Sequence, residues 1–309
     1  MPTLRYRSGL STEEVNPRTV DIDRLPTLEI LQRINAEDAT VAEAVARELP
    51  IIAAVVDRVV DAFAQGGRLI YVGSGTSGRL GVLDAAECPP TYGTHPQQVQ
   101  ALLAGAPMAM TASVEDAEDD EAAGARAVRD VGVDGRDVVL GIASSGGTPY
   151  VVGALREARS CGATVAALVA NPDGDVAAAA EFVIAPHTGT EVIAGSTRMK
   201  AGTAQKLVLN MISTAAMIRT GRTFGNLMVD MKPRNSKLRT RARRIVMLAA
   251  QCDEETAANA LSAADGEVKT AILMLLAGLQ AAEARDKLAS ASGVIRRALD
   301  TLEPAHSTT

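Results

Sequence analysis

Two glycine-rich turns that carry hydroxyl side chains are the parts of this chain best suited to chemistry. The first, GSGTSGRLG, spans residues 73–81 and follows a short apolar run at 69–72. The second, ASSGGTP, spans residues 143–149 and follows an apolar run at 138–142. A strand that ends in such a turn and enters a helix presents free backbone N–H groups and the positive end of the helix dipole. Each turn predicts an anion cradle, and the pair predicts a phosphate site.

The first turn also satisfies the dinucleotide-binding pattern G-x-G-x-x-G, at Gly73, Gly75 and Gly78. That fold needs an acidic residue about 20 positions further on to hold the ribose. No Asp or Glu lies between Glu87 and Glu115. The sequence therefore favours a compact phosphomonoester over a dinucleotide.

Two glutamates are candidates for acid–base chemistry. Glu87 ends a helix predicted at 78–87, before two prolines that should stop it, so the negative end of the helix dipole and burial would favour its protonated form. Glu118 follows a capping-box pattern at 113–116, which predicts that it lies early in a helix at 114–130, where the dipole favours the ionised form. Opposed pressures of this kind suit an acid–base pair. The alternative is that both carboxylates are surface charges.

Metal and nucleophile chemistry lack comparable signals. None of the three histidines or three cysteines has a neighbour at metal-ligand spacing. Ser77 and Ser145 have no sequence sign of a histidine base. The sequence therefore indicates neither a metal site nor a nucleophilic serine.

The composition restricts the partners and the compartment. The formal charge of −6, from 31 basic and 37 acidic residues, argues against general affinity for nucleic acid or an anionic membrane. Three widely spaced cysteines are typical of a reducing compartment. No apolar run approaches the ~20 residues of a membrane span, and residues 1–10 lack a signal-peptide core. We therefore expect a cytoplasmic protein.

Apolar runs alternate with helical patterns through the middle of the chain. Strands are predicted at 68–72, 99–103, 137–142, 163–168 and 181–185, and helices at 78–87, 114–130, 148–160 and 198–219. Strands without polar alternation, separated by helices, indicate a parallel sheet covered on both faces. The predicted fold class is α/β, with a parallel-sheet sandwich domain at 50–225.

The segment before this domain, residues 1–49, is predicted to contain an arm and helix. The arm, at 1–25, is polar and rich in turn residues, so it is either a tether or a flap that closes over a ligand. A helical pattern begins at Thr27 and should break or kink at Pro50.

The segment after the sheet domain, residues 226–303, is predicted to be a small all-α domain. A helix should begin at 252–255, where an acidic run follows Cys252. The basic run at 232–244 is interpreted as a linker and a solvated helix face. The tail at 304–309 is predicted to be disordered.

Longer motifs in the chain resemble those of N-acetylmuramic acid 6-phosphate etherases. They are GSGTSGRLG at 73–81, DAAECPPTYG at 84–93, EVIAGSTRMKAGTAQKLVLN at 191–210 and GNLMVD at 225–230. The resemblance extends from about Thr12 to the last predicted helix. That family has the sugar-isomerase (SIS) fold and is related to the glucokinase regulatory protein. The resemblance implies an SIS-type parallel-sheet sandwich and a C-terminal domain similar to ubiquitin-associated (UBA) three-helix units.

The activity implied by the resemblance is that of a carbon–oxygen lyase in amino-sugar degradation and peptidoglycan recycling. Such an enzyme removes the D-lactyl ether of N-acetylmuramate 6-phosphate by elimination and water addition, without a metal or cofactor. Glu87 and Glu118 match the family's two functional glutamates. The dipole argument favours Glu87 as the acid and Glu118 as the base.

Further site residues follow from matching the chain to the SIS pattern. The implied phosphate-binding residues are Gly75, Thr76, Ser77, Ser144, Ser145, Gly146 and Thr148, and the implied further substrate contacts are Glu191, Ser196 and Lys200. Ser77 and Glu87 are separated by about 15 Å along one helix, which exceeds the reach of a hexose phosphate from phosphate to C3. We therefore expect a homodimer with the active site at or near the subunit interface, or a phosphate held by the 144–148 turn alone.

Two alternatives share the phosphate site. A non-catalytic sugar-phosphate sensor, as the regulatory-protein relatives are, would need neither glutamate. An SIS sugar-phosphate isomerase would use an acid–base pair but leave the lactyl group in place. Release of D-lactate from N-acetylmuramate 6-phosphate separates the etherase from both.

Overall fold

The computed structural model describes residues 11–114, 116–231 and 236–301. The chain divides into two compact units. The sheet unit is made of the chain up to Ala86 and of Pro96–Thr214, and the helical unit is made of Glu87–His95 and of the chain from Ala215 onward.

The sheet unit is built on five parallel strands in the order β2-β1-β3-β4-β5. The strands are β1 (Leu69–Gly73), β2 (Val99–Leu103), β3 (Val138–Ala143), β4 (Thr164–Val169) and β5 (Phe182–Ile184). Gly73 at the end of β1 is level with Leu103 and Ile142, so the carboxyl ends of three strands meet at one edge. The predicted strands and the α/β parallel-sheet class are confirmed.

Eight helices begin in the sheet unit. They are α1 (Thr27–Asp38), α2 (Val41–Ala46), α3 (Leu49–Ala64), α4 (Gly75–Tyr92), α5 (Glu121–Asp130), α6 (Pro149–Ser160), α7 (Asp175–Ala178) and α8 (Lys200–Arg219). The predicted break at Pro50 is confirmed, because Pro50 lies in the first turn of α3, where its missing N–H has no helical partner to lose.

Helices cover both faces of the sheet. On one face Ile70 and Val72 pack in a cluster with Val128 of α5 and Leu155 of α6. On the other face the Tyr71 hydroxyl donates to Asp84 of α4 at 2.8 Å. Successive residues of a strand point to opposite faces, so β1 serves both layers.

Helix α4 is longer than predicted. It continues through Pro89 and Pro90 to Tyr92, because the fixed φ of proline is compatible with a helix even though its N–H is missing. The N–H of Gly93 donates to the carbonyl of Pro89 at 3.0 Å, which closes the last turn. The prediction that Glu87 ends a helix is therefore wrong, and Glu87 is also exposed.

Helix α5 begins later than predicted. Asp116 adopts a left-handed backbone with φ of 63°, so the capping box at 113–116 does not form. Asp120 caps the helix instead, because its Oδ1 accepts the N–H of Ala123 at 2.8 Å. Glu118 therefore precedes the helix, and the prediction that it lies in the first helical turn is wrong.

The helical unit has its own hydrophobic core. Its elements are the short antiparallel strands β6 (Thr223–Phe224) and β7 (Leu227–Met228) and the helices α9 (Ser236–Ala250), α10 (Glu254–Ala263), α11 (Val268–Ala277), α12 (Ala281–Ser290) and α13 (Ile295–Asp300). Asp253 caps α10 by accepting the N–H of Thr256 at 2.8 Å, as expected for a helix start there. The UBA-like character of this unit stays a prediction.

Two sequence predictions fall partly or wholly outside the described residues. The tail at 304–309 lies outside them, as does the part of the basic run at 232–235. Lys237, Arg239 and Arg241 of that run are exposed on α9, in agreement with a solvated helix face. No helix of the described segments is long and apolar enough to cross a membrane.

Candidate active site

The strand order reverses between β1 and β3. The chain runs from β1 outward to β2 and then returns to the other side of β1 for β3. In open α/β sheets, ligands bind in the crevice outside the carboxyl ends of the strands at such a reversal. Ser74 follows β1 and Ser144 follows β3, so the two turns singled out in the sequence flank this crevice.

The turn after β1 leads directly into α4. A side chain on Gly73 would bring its Cβ within 2.7 Å of the backbone nitrogen of Gly78, which explains the glycine at this close approach. Gly75 has a φ of 51°. Among the described residues, the backbone N–H groups of Gly75, Thr76 and Ser77 have no protein acceptor. These N–H groups are available to an anion.

The turn after β3 leads into α6 in the same way. Gly146 has a φ of 75°, and the N–H of Gly147 donates weakly to Ser145 Oγ at 3.4 Å. The backbone N–H groups of Ser145, Gly146 and Thr148 donate to no other group in the described part of the chain. Thr148 is the N-cap residue of α6, but its hydroxyl makes no capping bond. The second turn therefore offers three more N–H groups and a hydroxyl.

Gln205 of α8 joins the two turns. Its Oε1 accepts a hydrogen bond from Ser77 Oγ at 3.0 Å, and its Nε2 donates to Ser144 Oγ at 3.0 Å. Gln205, Ser77 and Ser144 are all buried. Two of the predicted phosphate-binding residues are therefore held by one amide.

Glu118 lies at the same edge of the sheet. Its Oε2 accepts from Ser74 Oγ at 2.9 Å, and its carbonyl oxygen accepts the N–H of Tyr150 in the first turn of α6 at 2.9 Å. A cavity of about 390 Å³ opens here and is lined by Ser74, Gly75, Arg79 and Glu118. Glu118 thus lies beside the first glycine-rich turn, and of the residues predicted to bind phosphate Gly75 lines the same cavity.

Arg79 stabilises one wall of this cavity. Its Nε donates to the carbonyl of Ala109 at 2.7 Å, and its Nη2 donates to the carbonyl of Ala112 at 2.7 Å. The segment between β2 and Glu118 is therefore fastened to α4.

Glu87 lies on α4, ten residues after Ser77, and belongs to the helical unit. Its side chain is exposed. Together with the unexpected length of α4, this exposure removes the basis on which a protonated Glu87 was predicted.

Glu191 and Lys200 have structural partners in place of a substrate. Glu191 is 0% exposed, and its two oxygens accept the N–H groups of Lys200 and Ala201 at 2.9 Å, so it caps α8. Lys200 is 2% exposed, and its Nζ lies 2.8 Å from Glu37 Oε2 and 3.1 Å from the carbonyl of Thr190. The expectation of direct substrate contacts does not fit these two side chains.

Ser196 lies in the turn that precedes α8. Its N–H donates to Ile193 and its carbonyl accepts from Met199. The carbonyl of the adjacent Thr197 accepts the N–H of Gly202, and a Cβ on Gly202 would lie 3.5 Å from Cγ2 of Thr76. Ser196 is therefore near the first turn, and its contact with substrate stays a prediction.

The described part of the N-terminal arm lies on the same segment. The carbonyl of Thr12 accepts the N–H of Gly195 at 2.9 Å, and Thr19 Oγ1 donates to the carbonyl of Val192 at 2.8 Å. Arg18 pairs with Glu37 at 2.6 Å. The arm is thus anchored to the turn that enters α8.

Two residues of the site were missed in the sequence. Ser74 lies inside the first glycine-rich turn and Gln205 lies inside the 191–210 motif, so both belong to segments that the sequence singled out. Nothing in the letters indicates that Gln205 faces both serines, because that depends on how α8 packs.

Comparison with known proteins places the chain in a family. The glucokinase regulatory protein N-terminal SIS domain family matches residues 51–159. Solved structures that resemble it include a putative sugar-phosphate isomerase from Listeria monocytogenes (14% identity, TM-score 0.47, 64% of this chain and 94% of that chain). A phosphoheptose isomerase from Francisella tularensis is also similar (17% identity, TM-score 0.44, 61% of this chain and 98% of that chain).

Curated relatives match over nearly their whole length. A protein of Photorhabdus laumondii named N-acetylmuramic acid 6-phosphate etherase is 53% identical to this chain, over 94% of this chain and 96% of the relative. The relative in Edwardsiella ictaluri is 55% identical over 94% of this chain and 97% of its own. With identity of this level across both units, the chain belongs to the N-acetylmuramic acid 6-phosphate etherase family.

Proposed function

We propose that this protein is an enzyme that cleaves the D-lactyl ether of N-acetylmuramate 6-phosphate, yielding N-acetylglucosamine 6-phosphate and D-lactate. Relatives of that name match both units at 53% identity or more. The observation that supports the proposal in the structure is the position of Glu118, which is hydrogen-bonded to Ser74 of the first turn and to Tyr150 just after the second.

The chemistry requires an acid and a base near C2 and C3 of the sugar. An alkyl ether resists direct hydrolysis because an alkoxide is a poor leaving group. When the ring opens to the aldehyde, the C2 proton becomes acidic and a base can remove it. The lactyl oxygen then leaves C3 with a proton from an acid, and a C2=C3 double bond forms. Water adds its oxygen to C3 while a proton returns to C2, so the net reaction consumes one water.

The phosphate is held by the two turns in this proposal. Six backbone N–H groups, three in each turn at the ends of β1 and β3, find no acceptor among the residues that the structure describes. The positive ends of α4 and α6 add to the attraction for a dianion. The same turns leave the hydroxyl of Thr148 available.

Glu118 acts as the base. Its Oε2 accepts from Ser74, while Oε1 accepts from no described group and can receive a substrate proton. The hydrogen bond from Tyr150 to its carbonyl fixes the main chain next to the second turn. A base must lie within hydrogen-bond reach of the proton it removes, and this anchoring supports that role.

The acid in this proposal is Glu87 from a second copy of the chain; the assignment rests on its match to the family's other functional glutamate, since Glu118 serves as the base. It lies about 15 Å along α4 from Ser77, which is beyond the reach of one hexose phosphate bound at the first turn. Leu83, one helical turn before Glu87, is 53% exposed, and residues four apart lie on the same face of a helix. An exposed apolar residue beside an exposed acid supports a homodimer that shares its active sites.

The cytoplasm suits this reaction. The substrate carries a phosphate and a lactyl carboxylate, both ionised at neutral pH, so it does not diffuse across a membrane. Cys88, Cys161 and Cys252 form no disulfide bond with one another, which fits a reducing compartment.

The test uses Glu87→Gln and Glu118→Gln with N-acetylmuramate 6-phosphate. Both variants should lose D-lactate release by about a hundredfold or more, since each removes one side of general acid–base catalysis. Glu87→Gln should keep exchange of the C2 proton in deuterated water, and Glu118→Gln should lose it. Glu283→Gln, an exposed glutamate on α12, is the matched control.

Other outcomes identify other functions. Loss of exchange in Glu87→Gln but not in Glu118→Gln would reverse the two roles. A wild-type protein that binds the sugar phosphate but releases no D-lactate would be a sensor or an isomerase, and the proposal would be wrong.

A further inference from the structure

We propose that Gln205 is a positioning residue that orients the hydroxyls of Ser77 and Ser144 in opposite senses, so that Ser144 alone donates its proton to the bound phosphate. The inference rests on the phosphate site of the proposed function. It assigns unequal roles to two serines that the sequence treats alike.

The geometry of the amide carries the argument. Oε1 of Gln205 accepts from Ser77 Oγ at 3.0 Å, and Nε2 donates to Ser144 Oγ at 3.0 Å. A primary amide is an acceptor at one end and a donor at the other. It therefore cannot treat the two hydroxyls in the same way, as a carboxylate or a water molecule could.

The two serine hydroxyls are left with different hydrogen-bonding groups for the phosphate. The proton of Ser77 is used on Oε1, so Ser77 Oγ can offer only lone pairs, which a phosphate oxygen repels. Ser144 Oγ receives the proton of Nε2 and keeps its own, which no described group accepts. A hydroxyl with a free proton is a good donor to an anionic oxygen.

The residues around Ser144 support its role as the serine that donates to the phosphate. The next residues in the turn, Ser145 and Gly146, carry N–H groups without protein acceptors, and Thr148 adds a third. The phosphate is therefore drawn toward the end of β3, while α4 contributes backbone N–H groups and not the hydroxyl of Ser77. The side chain of Gln205 is 3% exposed, so water does not readily substitute for it.

The experiment compares Ser144→Ala with Ser77→Ala. Binding of N-acetylglucosamine 6-phosphate is measured by calorimetry, and KM and kcat are measured with N-acetylmuramate 6-phosphate. Ser144→Ala should weaken binding and raise KM about tenfold, as expected for loss of a hydrogen bond to a charged group. Ser77→Ala should weaken binding and raise KM by a smaller factor, because it removes a partner of Gln205 and no hydrogen bond to the phosphate. kcat should change little in either. Ser160→Ala, on the exposed end of α6, is the control.

Repeating Ser144→Ala and Ser77→Ala in a Gln205→Met background tests whether Gln205 causes the difference between the two serines. Methionine is similar in length but neither donates nor accepts strongly, so both hydroxyls can turn toward the phosphate. The two alanine substitutions should then differ by less than about twofold. If the difference between them is unchanged by Gln205→Met, the glutamine only fills space and the inference is wrong.

Binding to a Gln205→Glu variant provides a second test if the methionine variant does not fold. A carboxylate accepts from both serines, so it withdraws the proton of Ser144 and adds a negative charge. Binding of N-acetylglucosamine 6-phosphate should weaken about a hundredfold. Unweakened binding, or a larger effect of Ser77→Ala than of Ser144→Ala, would overturn the inference. Calorimetry needs no turnover, so this result is independent of whether D-lactate is released.

Discussion

The glutamates of the sheet unit differ in how their carboxyl groups are surrounded. Glu191 and Glu37 are buried, and each of their carboxylate oxygens has a partner. Backbone N–H groups donate to Glu191, and the cations of Arg18 and Lys200 pair with Glu37. Glu118 is exposed, with one oxygen bound and one open. Buried carboxylates must be paired to be tolerated, whereas a base must keep an oxygen for its substrate. Exposure thus separates the structural acids from the proposed catalytic one.

Glu191→Gln should change how stability depends on pH. Burial raises the pKa of the Glu191 carboxyl above its ordinary value, although the N–H groups of Ala201 and Lys200 oppose the shift. A raised pKa stabilises the folded state below the unfolded pKa of about 4.5, and this contribution is lost as pH rises through the folded pKa. The stability of the wild type relative to Glu191→Gln should therefore fall as pH rises above about 4.5.

Urea unfolding of both proteins between acid and neutral pH measures this difference. Groups remote from Glu191 titrate alike in both proteins and cancel in the comparison. Glu37, which shares Lys200 with Glu191, shifts in the other direction: burial opposes its ionisation, but Lys200 and Arg18 hold its pKa below the usual range. A difference that stays constant, or one that grows with pH, would contradict the argument.

At the scale of elements, two glycines set the approach of α5 to α6. A Cβ on Gly124 would lie 1.8 Å from the carbonyl oxygen of Tyr150, and a Cβ on Gly153 would lie 2.0 Å from that of Glu121. Neither carbonyl can move without its helix. Gly124→Ala and Gly153→Ala should therefore each lower the free energy of unfolding by about 3 kcal/mol or more.

The expected loss is measured by urea denaturation, with Gly135→Ala as the matched control. A Cβ on Gly135 would have its nearest neighbour at 3.5 Å, an ordinary contact. Because Tyr150 also fixes Glu118, folded Gly124→Ala protein should release D-lactate more slowly. Stability equal to that of the control would mean that the two helices separate at little cost.

The strands could be read from the sequence because each is a short apolar run between helical patterns. The ends of α4 and the start of α5 could not. Prolines stop most helices, but Pro89 and Pro90 are accommodated near the end of α4. Before α5 the serine capping box at 113–116 competes with Asp120, and the structure uses Asp120 because Asp116 adopts a left-handed backbone. Sequence rules for helix ends do not say which of several nearby start or stop signals the folded chain uses.

In the candidate site, too, local features could be predicted from the sequence and long-range contacts could not. The glycine-rich turns were predictable because free N–H groups and small residues at strand ends are local properties. The ion-pair partner of Lys200 and the serine partners of Gln205 come from segments distant in the chain, so no spacing indicates them. The sequence therefore identifies the cradle but not the residues that orient it.

At the scale of the whole molecule, the segment Glu87–His95 belongs to the helical unit although it lies between two parts of the sheet unit in the sequence. A division at a single boundary cannot represent this arrangement. One of the two proposed catalytic residues, Glu87, thus lies in the helical unit, and the other, Glu118, lies in the sheet unit. Because the two glutamates are separate residues, each can be substituted in a different copy of the chain, and a mixture then tests whether a site uses glutamates from one chain or from two.

Mixing Glu87→Gln and Glu118→Gln chains provides that test. If Glu118 of one chain works with Glu87 of its partner, a mixed dimer contains one intact site and one site with both substitutions. Random pairing makes half of the dimers mixed, so co-expression should restore about one quarter of wild-type D-lactate release, whereas each variant alone is inactive.

Adding Leu83→Glu to both chains should abolish the recovery, because a charge on the exposed apolar face of α4 opposes pairing. Leu248→Glu, a substitution of another exposed leucine, should leave it intact. Sedimentation velocity should give a dimer for the Leu248→Glu pair and a monomer for the Leu83→Glu pair. Glutamates that act within one chain predict no recovery in any mixture, since every chain then lacks one of the two. Recovery that depends on Leu83 therefore requires both a dimer and a site completed across it.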